Sequence, residues 1–149
     1  MKIIVIDGQG GKIGTSIVKQ LKQSIPGLGL MAIGTNSIAT ASMLKAGADC
    51  GASGENPVVV NCRDADIIIG PLGILLADSL LGEVTPAMAQ AIAQSPAQKI
   101  LIPNSKCKVM VTGVRDMALS EYIQLAIELV TDLIGGQFNM QNNDNGQTL

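Results

Sequence analysis

The stretch Lys2-Ile3-Ile4-Val5-Ile6-Asp7-Gly8-Gln9-Gly10-Gly11-Lys12-Ile13-Gly14 decides the fold. Its first half is a short, continuously apolar, β-branched run, the pattern of a strand buried on both faces of a parallel sheet. Its second half holds four glycines in seven residues, at the point where such a strand turns into a helix. Ile13, Ile17, Val18 and Leu21 then share one face at helical spacing, as far as about Gln23. Strand, glycine loop and helix in this order are what a phosphate-binding turn requires. Glycine lets the chain turn sharply, lets the backbone approach a pyrophosphate, and lets the helix pack closely on the strand. The helix N-terminus then offers unpaired N–H groups and a partial positive charge. Gly8, Gly11 and Gly14 fit a G-x-x-G-x-x-G spacing. Gly8 and Gly10 also fit the start of G-x-G-x-x-G, whose third glycine is replaced by Ile13, and Lys12 adds a cation. A tight turn without a ligand is the bland reading of the same glycines; their density favours binding. Asp7 counts against a bare pyrophosphate unless its carboxylate accepts loop amides or holds a metal ion.

Outward from the loop, strands and helices alternate. Leu28–Gly34 reads as a second strand, and Asn36 or Ser37 caps a helix that runs to Lys45 and stops at Gly47. Asp49–Ala52 reads as a short third strand. Asn56-Pro57 has the form of an N-cap with proline at the first helical position, opening a brief helix to about Arg63, although Val58-Val59-Val60 has strand propensity. Asp66–Gly70 is a buried strand, and Leu72–Leu81 is apolar throughout, helical or irregular. Thr85-Pro86 opens a helix that Pro96 closes. Lys99–Ile102 is a strand, Pro103–Cys107 turns the chain, and Lys108–Thr112 is expected to pair back antiparallel. Leu119–Ile134 is the last helix, with Leu119, Ile123, Ile127, Val130 and Ile134 in one stripe. The expected fold is α/β: a three-layer, Rossmann-like, doubly wound, mostly parallel sheet with an antiparallel edge strand. Residues 1–134 form one nucleotide-binding domain on this reading, and 135–149 a disordered polar tail.

In such sheets ligands bind at the carboxyl ends of the strands. The candidate cofactor-binding residues are therefore Gly8, Gln9, Gly10, Gly11, Lys12, Ile13 and Gly14, with Gly34, Thr35 and Asn36 after the second strand and Gly70 and Pro71 after the fourth. The expected cofactor is NAD or NADP. An Asp or Glu at the end of the second strand would grip the ribose of NAD, and an Arg would favour NADP. Gly34-Thr35-Asn36-Ser37 contains neither; its side chains suit a ribose, a 2′-phosphate, or simply the cap of the next helix. Gly70-Pro71-Leu72-Gly73 also reads as an ordinary turn, and Glu55 as a solvated charge. Asn104-Ser105-Lys106-Cys107 is the one densely polar cluster, where Lys106 either lowers the thiol pKa of Cys107 or is merely solvated. No catalytic residue is assigned, and no metal is expected.

Composition narrows the function further. The chain of 149 residues carries 10 basic and 12 acidic residues, no basic run, one Phe and one Tyr, which disfavours nucleic acid. The cysteines Cys50, Cys62 and Cys107 are odd in number and form no C-x-x-C pair, as suits a reducing compartment. Only four consecutive apolar residues precede Asp7, too few for a signal-peptide core, and the longest apolar run, Ile67–Ala77, is short of a membrane span. A cytoplasmic protein without membrane contact is the expectation. Histidine is absent, and with it the commonest general acid–base group. Hydrophobic residues make up 47% of the chain, and Tyr122, Leu125 and Leu129 widen the apolar face of the last helix. This surplus points to a homodimer or a dimer of dimers.

The loop at 8–14, with I-I-V-I before it, is similar to the cofactor loop of dihydrodipicolinate reductases. Those enzymes add a second domain with catalytic histidines and a lysine, so their activity is not carried over to a sequence without histidine. A resemblance over nearly the whole chain rests on V-I-D-G-Q-G-G at 5–11, G-T-N at 34–36, M-L-K-A-G-A at 43–48, G-E-N at 54–56, G-P-L at 70–72, L-L-G-E-V-T-P-A-M-A at 80–89 and K-I-L-I-P at 99–103. These motifs resemble a family of short bacterial proteins, domain-of-unknown-function family 3842, which implies a Rossmann-like fold and no known reaction. Pro103–Cys107 departs from that family's P-x-N-R-C pattern, with Lys in place of Arg. Three functions follow in order. The first is a sensor or binding module for NAD(H) or NADP(H). The second is an oxidoreductase or other enzyme completed by a second subunit or partner, and the third a structural or interaction protein without ligand.

Overall fold

The computed structural model describes residues 1–136. The first strand, β1 (Ile3–Asp7), is buried at all five positions, as its unbroken apolar run requires. The chain then alternates through α1 (Lys12–Ser24), β2 (Met31–Gly34), α2 (Ser37–Lys45), β3 (Cys50–Ser53), α3 (Glu55–Asn61) and β4 (Ile67–Pro71). A short 3-10 turn at Leu72–Leu75 leads to an irregular loop, then α4 (Pro86–Gln94), β5 (Gln98–Ile102), a second 3-10 turn at Ser105–Cys107, and α5 (Leu119–Ile134). All four strand pairings are parallel, in the order β3-β2-β1-β4-β5. That is the order of a doubly wound sheet through its fifth strand.

The two-residue period of the strands divides the core. Ile3, Val5, Ile67, Ile69, Ile100 and Ile102 pack beneath α1, α2 and α5 through Ile17, Leu21, Met43, Ile123, Ile127 and Val130. Ile4, Ile6, Ile33 and Ile68 face the other way, beneath Val58 of α3 and Met88 and Ile92 of α4. Both sheet faces are therefore covered, giving three layers. Side chains fix where two helices begin: Asn36 Oδ1 accepts the Ala39 N–H at 2.9 Å, and Thr85 Oγ1 accepts the Met88 N–H at 3.1 Å.

Two expectations are corrected. The cap of α3 is Gly54, at φ 100°, not Asn56, and Pro57 sits in the first turn, where its missing N–H costs no helical bond. Val58–Val60 is helical, as the expected brief helix requires despite its strand propensity, because the parallel step from β3 to β4 needs a crossover and a helix supplies it. Lys108–Thr112 forms no antiparallel edge strand. Lys108 takes a left-handed conformation (φ 53°) straight after the 3-10 turn, which leads the chain away from β5. β5 stays the sheet edge, paired with β4 alone among the described residues. In α5 the predicted stripe is buried at Ile123, Ile127 and Val130, while its ends, Leu119 and Ile134, are exposed. No helix among the described residues is long and apolar enough to cross a membrane. Most of the segment expected as a polar tail, residues 137–149, lies outside the described residues.

Candidate functional site

The strand register opens a crevice. β1 pairs with β4 only as far as Val5 opposite Ile69, whereas β1–β2 pairing runs on to Asp7 opposite Gly34 and β4–β5 to Pro71 opposite Ile102. The two central strands part where the chain winds away in opposite directions, the switch point at which doubly wound sheets bind ligands. A cavity of about 920 Å³ lies there, at the upper end of the usual range for small-molecule sites. The glycine loop forms one wall; Pro71, Leu72 and Leu80 line another. Pro103, Asn104 and Lys106 follow β5, and the strandless segment Val109–Met117 closes the far side with Leu119 and Tyr122 of α5.

Asp7 builds the loop from beneath. Its carboxylate accepts the Gly8 N–H and the Gly14 N–H, both at 2.7 Å, and so clamps the first and last glycines together. Burial pushes the Asp7 carboxyl above its ordinary range. The amides of Gly14, Gly8 and Ile13 pull the other way, and Glu83 adds repulsion. The loop amides are thus what the Asp7 carboxylate serves. Gly11 needs to be glycine twice over: its φ is 71°, and a Cβ there would stand 2.9 Å from Ala39 Cα on α2. The Gly11 N–H bonds the Gly8 carbonyl at 2.9 Å. The N–H groups of Gly10 and Lys12 have no acceptor among the described residues, at the start of a thirteen-residue helix. Lys12, Lys106 and Arg115 all border the cavity. The ion pairs found among the described residues, Lys2–Asp64 and Lys22–Asp49, lie elsewhere.

The other half of the strand-end edge, above β2, is already occupied. Glu83 Oε1 accepts the Gln9 N–H at 3.0 Å, the Thr35 hydroxyl at 2.8 Å and the Asn36 side-chain amide at 2.5 Å. Burial works to raise the Glu83 carboxyl, but the hydrogen bonds from Asn36, Gln9 and Thr35 together outweigh it and hold the group below its ordinary range. Glu83 arrives on a tight loop closed by the Asp78 N–H on the Val84 carbonyl at 2.7 Å. Asp78, Leu80, Leu81 and Gly82 in that loop all have positive φ, between 53° and 86°. Left-handed non-glycine residues cost about 1–3 kcal/mol each and persist only where surrounding contacts impose them. Leu81 is 96% exposed, so packing of its own side chain does not account for its conformation.

The residues expected from sequence divide accordingly. Gly8–Gly14 form the loop, and Pro71 lines the cavity. Thr35 and Asn36 sit beside the loop, bonded to Glu83, with Asn36 Nδ2 also donating to the Gln9 carbonyl at 3.0 Å. Gly34 and Gly70 are packing glycines: a Cβ at Gly34 would meet the Asn36 carbonyl and the Thr40 backbone, and one at Gly70 the Ile6 carbonyl. Glu55 Oε2 accepts the Thr85 hydroxyl at 2.6 Å, so it braces α4 rather than standing free. Asn104 caps the 3-10 turn, and the Cys107 thiol donates to its carbonyl at 2.9 Å. Sequence reasoning missed Glu83, Leu80 and the wall at Val109–Tyr122. One signal for Glu83 was present: a lone carboxylate after Leu80-Leu81-Gly82, stranded between an apolar segment and a helix cap.

The profile of a family described as a domain of unknown function (DUF3842) matches residues 2–135. No protein of curated function matches the chain. Among solved structures it is similar to a dodecameric FMN-dependent UbiX-like decarboxylase from Escherichia coli O157:H7. The two share 13% identity over 89% of this chain and 94% of that one, with a TM-score of 0.49. That protein is FMN-dependent by its description. The expectation here of NAD(H) or NADP(H), and of a sensor built on them, is corrected on the geometry of this chain. A dinucleotide lies across the switch point with one nucleotide over each half, and above β2 the donors Gln9, Thr35 and Asn36 are already satisfied by Glu83.

Proposed function

The chain belongs to the DUF3842 family, and we propose that it is the cofactor-holding subunit of an enzyme whose cofactor carries one phosphate and a flat ring, with flavin mononucleotide as the probe of that class. The observation that carries this reading is the open crevice between β1 and β4, with the glycine loop on one wall and apolar Leu72, Leu80, Val109, Val111 and Tyr122 on the others. The phosphate takes the free N–H groups of Gly10 and Lys12 at the start of α1, where the helix dipole favours an anion. The Lys12 ammonium adds its charge. Leu72, Leu80, Val109, Val111 and Tyr122, which line the cavity, would hold the ring. A bound flavin supplies electron transfer; the residues of this chain hold it, orient it and exclude water from one side.

A second copy completes the site. Met110, in the outer wall, is 98% exposed, and Val109, Val111 and Val114 are exposed beside it. A wall this apolar is a poor shield for a ring while it stands in water. Leu125 and Leu129, four residues apart on the outer face of α5, are exposed as well and supply the surface for a homodimer or a dimer of dimers. The free cysteines fit a reducing, cytoplasmic setting, and residues 1–134 act as one nucleotide-binding domain.

Native mass spectrometry and visible absorbance of the freshly purified chain test this reading. A bound mass matching flavin mononucleotide, with the absorbance of an oxidised flavin, is the expected result. A bound dinucleotide, or none recovered after incubation with excess flavin mononucleotide, overturns it.

A further inference from the structure

We propose that Glu83 is the specificity determinant of the crevice: its carboxylate stands in for a ligand above β2, limits the site to one nucleotide unit, and hides a second half-site that accepts an adenosine diphosphate group once the carboxylate is removed. This rests on the reading above in one respect, that the spaces on either side of the glycine loop are halves of one crevice.

The donors that Glu83 engages are those a nucleotide would need. The Gln9 N–H belongs to the glycine loop itself, and the Thr35 hydroxyl and Asn36 amide project from the end of β2, where ribose recognition takes place in doubly wound sheets. All three converge on one oxygen, Oε1. A carboxylate oxygen gathering a backbone amide, a hydroxyl and a side-chain amide reproduces the acceptor character of a phosphate or ribose oxygen. Nothing in the local chain demands that arrangement. Gln9 and Thr35 are 74 and 48 residues from Glu83 in sequence, and the loop that brings it there runs through three consecutive left-handed residues, Leu80, Leu81 and Gly82. The same loop leans on the glycine turn, where a Cβ at Gly8 would stand 2.7 Å from Leu80 Cδ1 and 2.6 Å from Thr35 Oγ1. Loop, carboxylate and β2 end thus form one closed unit above the adenosine side, while the β1–β4 side stays open.

The test is titration calorimetry with ADP and, separately, with flavin mononucleotide, on the parent, Glu83→Ala and Glu83→Gln. ADP binding is expected to tighten at least tenfold in Glu83→Ala. It stays close to the parent in Glu83→Gln, whose amide oxygen still reaches the three donors. Flavin mononucleotide binding is expected to change less than ADP binding in Glu83→Ala, because the Gly10 and Lys12 N–H groups and the β1–β4 side are not bonded to Glu83. If the parent binds no flavin mononucleotide while Glu83→Ala gains ADP binding, the proposed cofactor class is wrong and the role of Glu83 stands. If flavin mononucleotide binds and Glu83→Ala, folded by circular dichroism, takes ADP no better than the parent, the role of Glu83 is refuted. Glu83→Ser, equally too short to reach the donors, replaces the alanine variant if that one is unfolded. Loss of fold in both would make Glu83 a structural brace and overturn the proposal.

Discussion

Replacing Gly11 by alanine probes the contact that shapes the glycine loop. Two costs add at this position. The left-handed backbone (φ 71°, ψ 23°) penalises an L side chain by about 1–2 kcal/mol. The new Cβ would also stand 2.9 Å from Ala39 Cα and 3.1 Å from the Ala39 carbonyl oxygen. Both atoms are backbone of α2, so relief requires the helix to shift by a few tenths of an ångström, and overpacking of this kind costs about 1–3 kcal/mol. Stiffening the unfolded chain returns only about 0.4–1 kcal/mol. The net loss is therefore about 3 kcal/mol. Gly10→Ala is the control, because a Cβ there meets nothing within 4 Å. It should change stability by no more than about 0.5 kcal/mol. The chain has no tryptophan, so urea denaturation followed by far-ultraviolet circular dichroism is the suitable assay. A Gly11→Ala variant within about 0.5 kcal/mol of the parent would show that α2 does not lie against the loop, and the geometry argued for the phosphate cradle would fail with it.

Three other outcomes are expected. With iodoacetamide at pH 8, exposed Cys50 reacts first, half-buried Cys107 more slowly, and Cys62 only on unfolding, since burial pushes its thiol up to about 11; fast labelling of Cys62 in the folded chain would contradict its burial. Glu83, held below its ordinary value of 4.5, contributes stability that is present above that pH and is lost as pH falls through its lowered folded value. The parent's advantage over Glu83→Gln in urea should therefore shrink below about pH 4.5, and an advantage that grows on acidification would reverse the assignment. Sedimentation equilibrium should show an oligomer that Leu125→Glu with Leu129→Glu converts to monomer; a parent that is already monomeric at micromolar concentration removes the second copy from the proposed site.

What the sequence made legible was local. The all-apolar Ile3–Ile6 run, the glycine cluster, the Thr85-Pro86 cap and the spacing of Ile123, Ile127 and Val130 each fix an element through near neighbours, and each is found where the pattern placed it. Lys108–Thr112 has strand composition, yet one left-handed residue, Lys108, redirects it, and β propensity has no means of registering that. Gly34 and Gly70 read as binding glycines because close backbone approach to a ligand and to another strand call for the same residue; their neighbours prove to be protein. Glu83 was invisible as a site residue because its partners lie on two loops far away in sequence. The cofactor expectation failed for the same reason: a distant carboxylate takes the donors at the end of β2.

The most direct test of the central claim is calorimetric titration of the purified parent chain with flavin mononucleotide and, in parallel, with NADH. The account predicts saturable flavin mononucleotide binding with a Kd in the micromolar range, about −8 kcal/mol. Lys12→Ala should weaken it at least tenfold, about 1.4 kcal/mol, and NADH should give no binding heat at the same concentrations. NADH binding as tight as that of flavin mononucleotide, or no heat with flavin mononucleotide up to millimolar concentration, would contradict it.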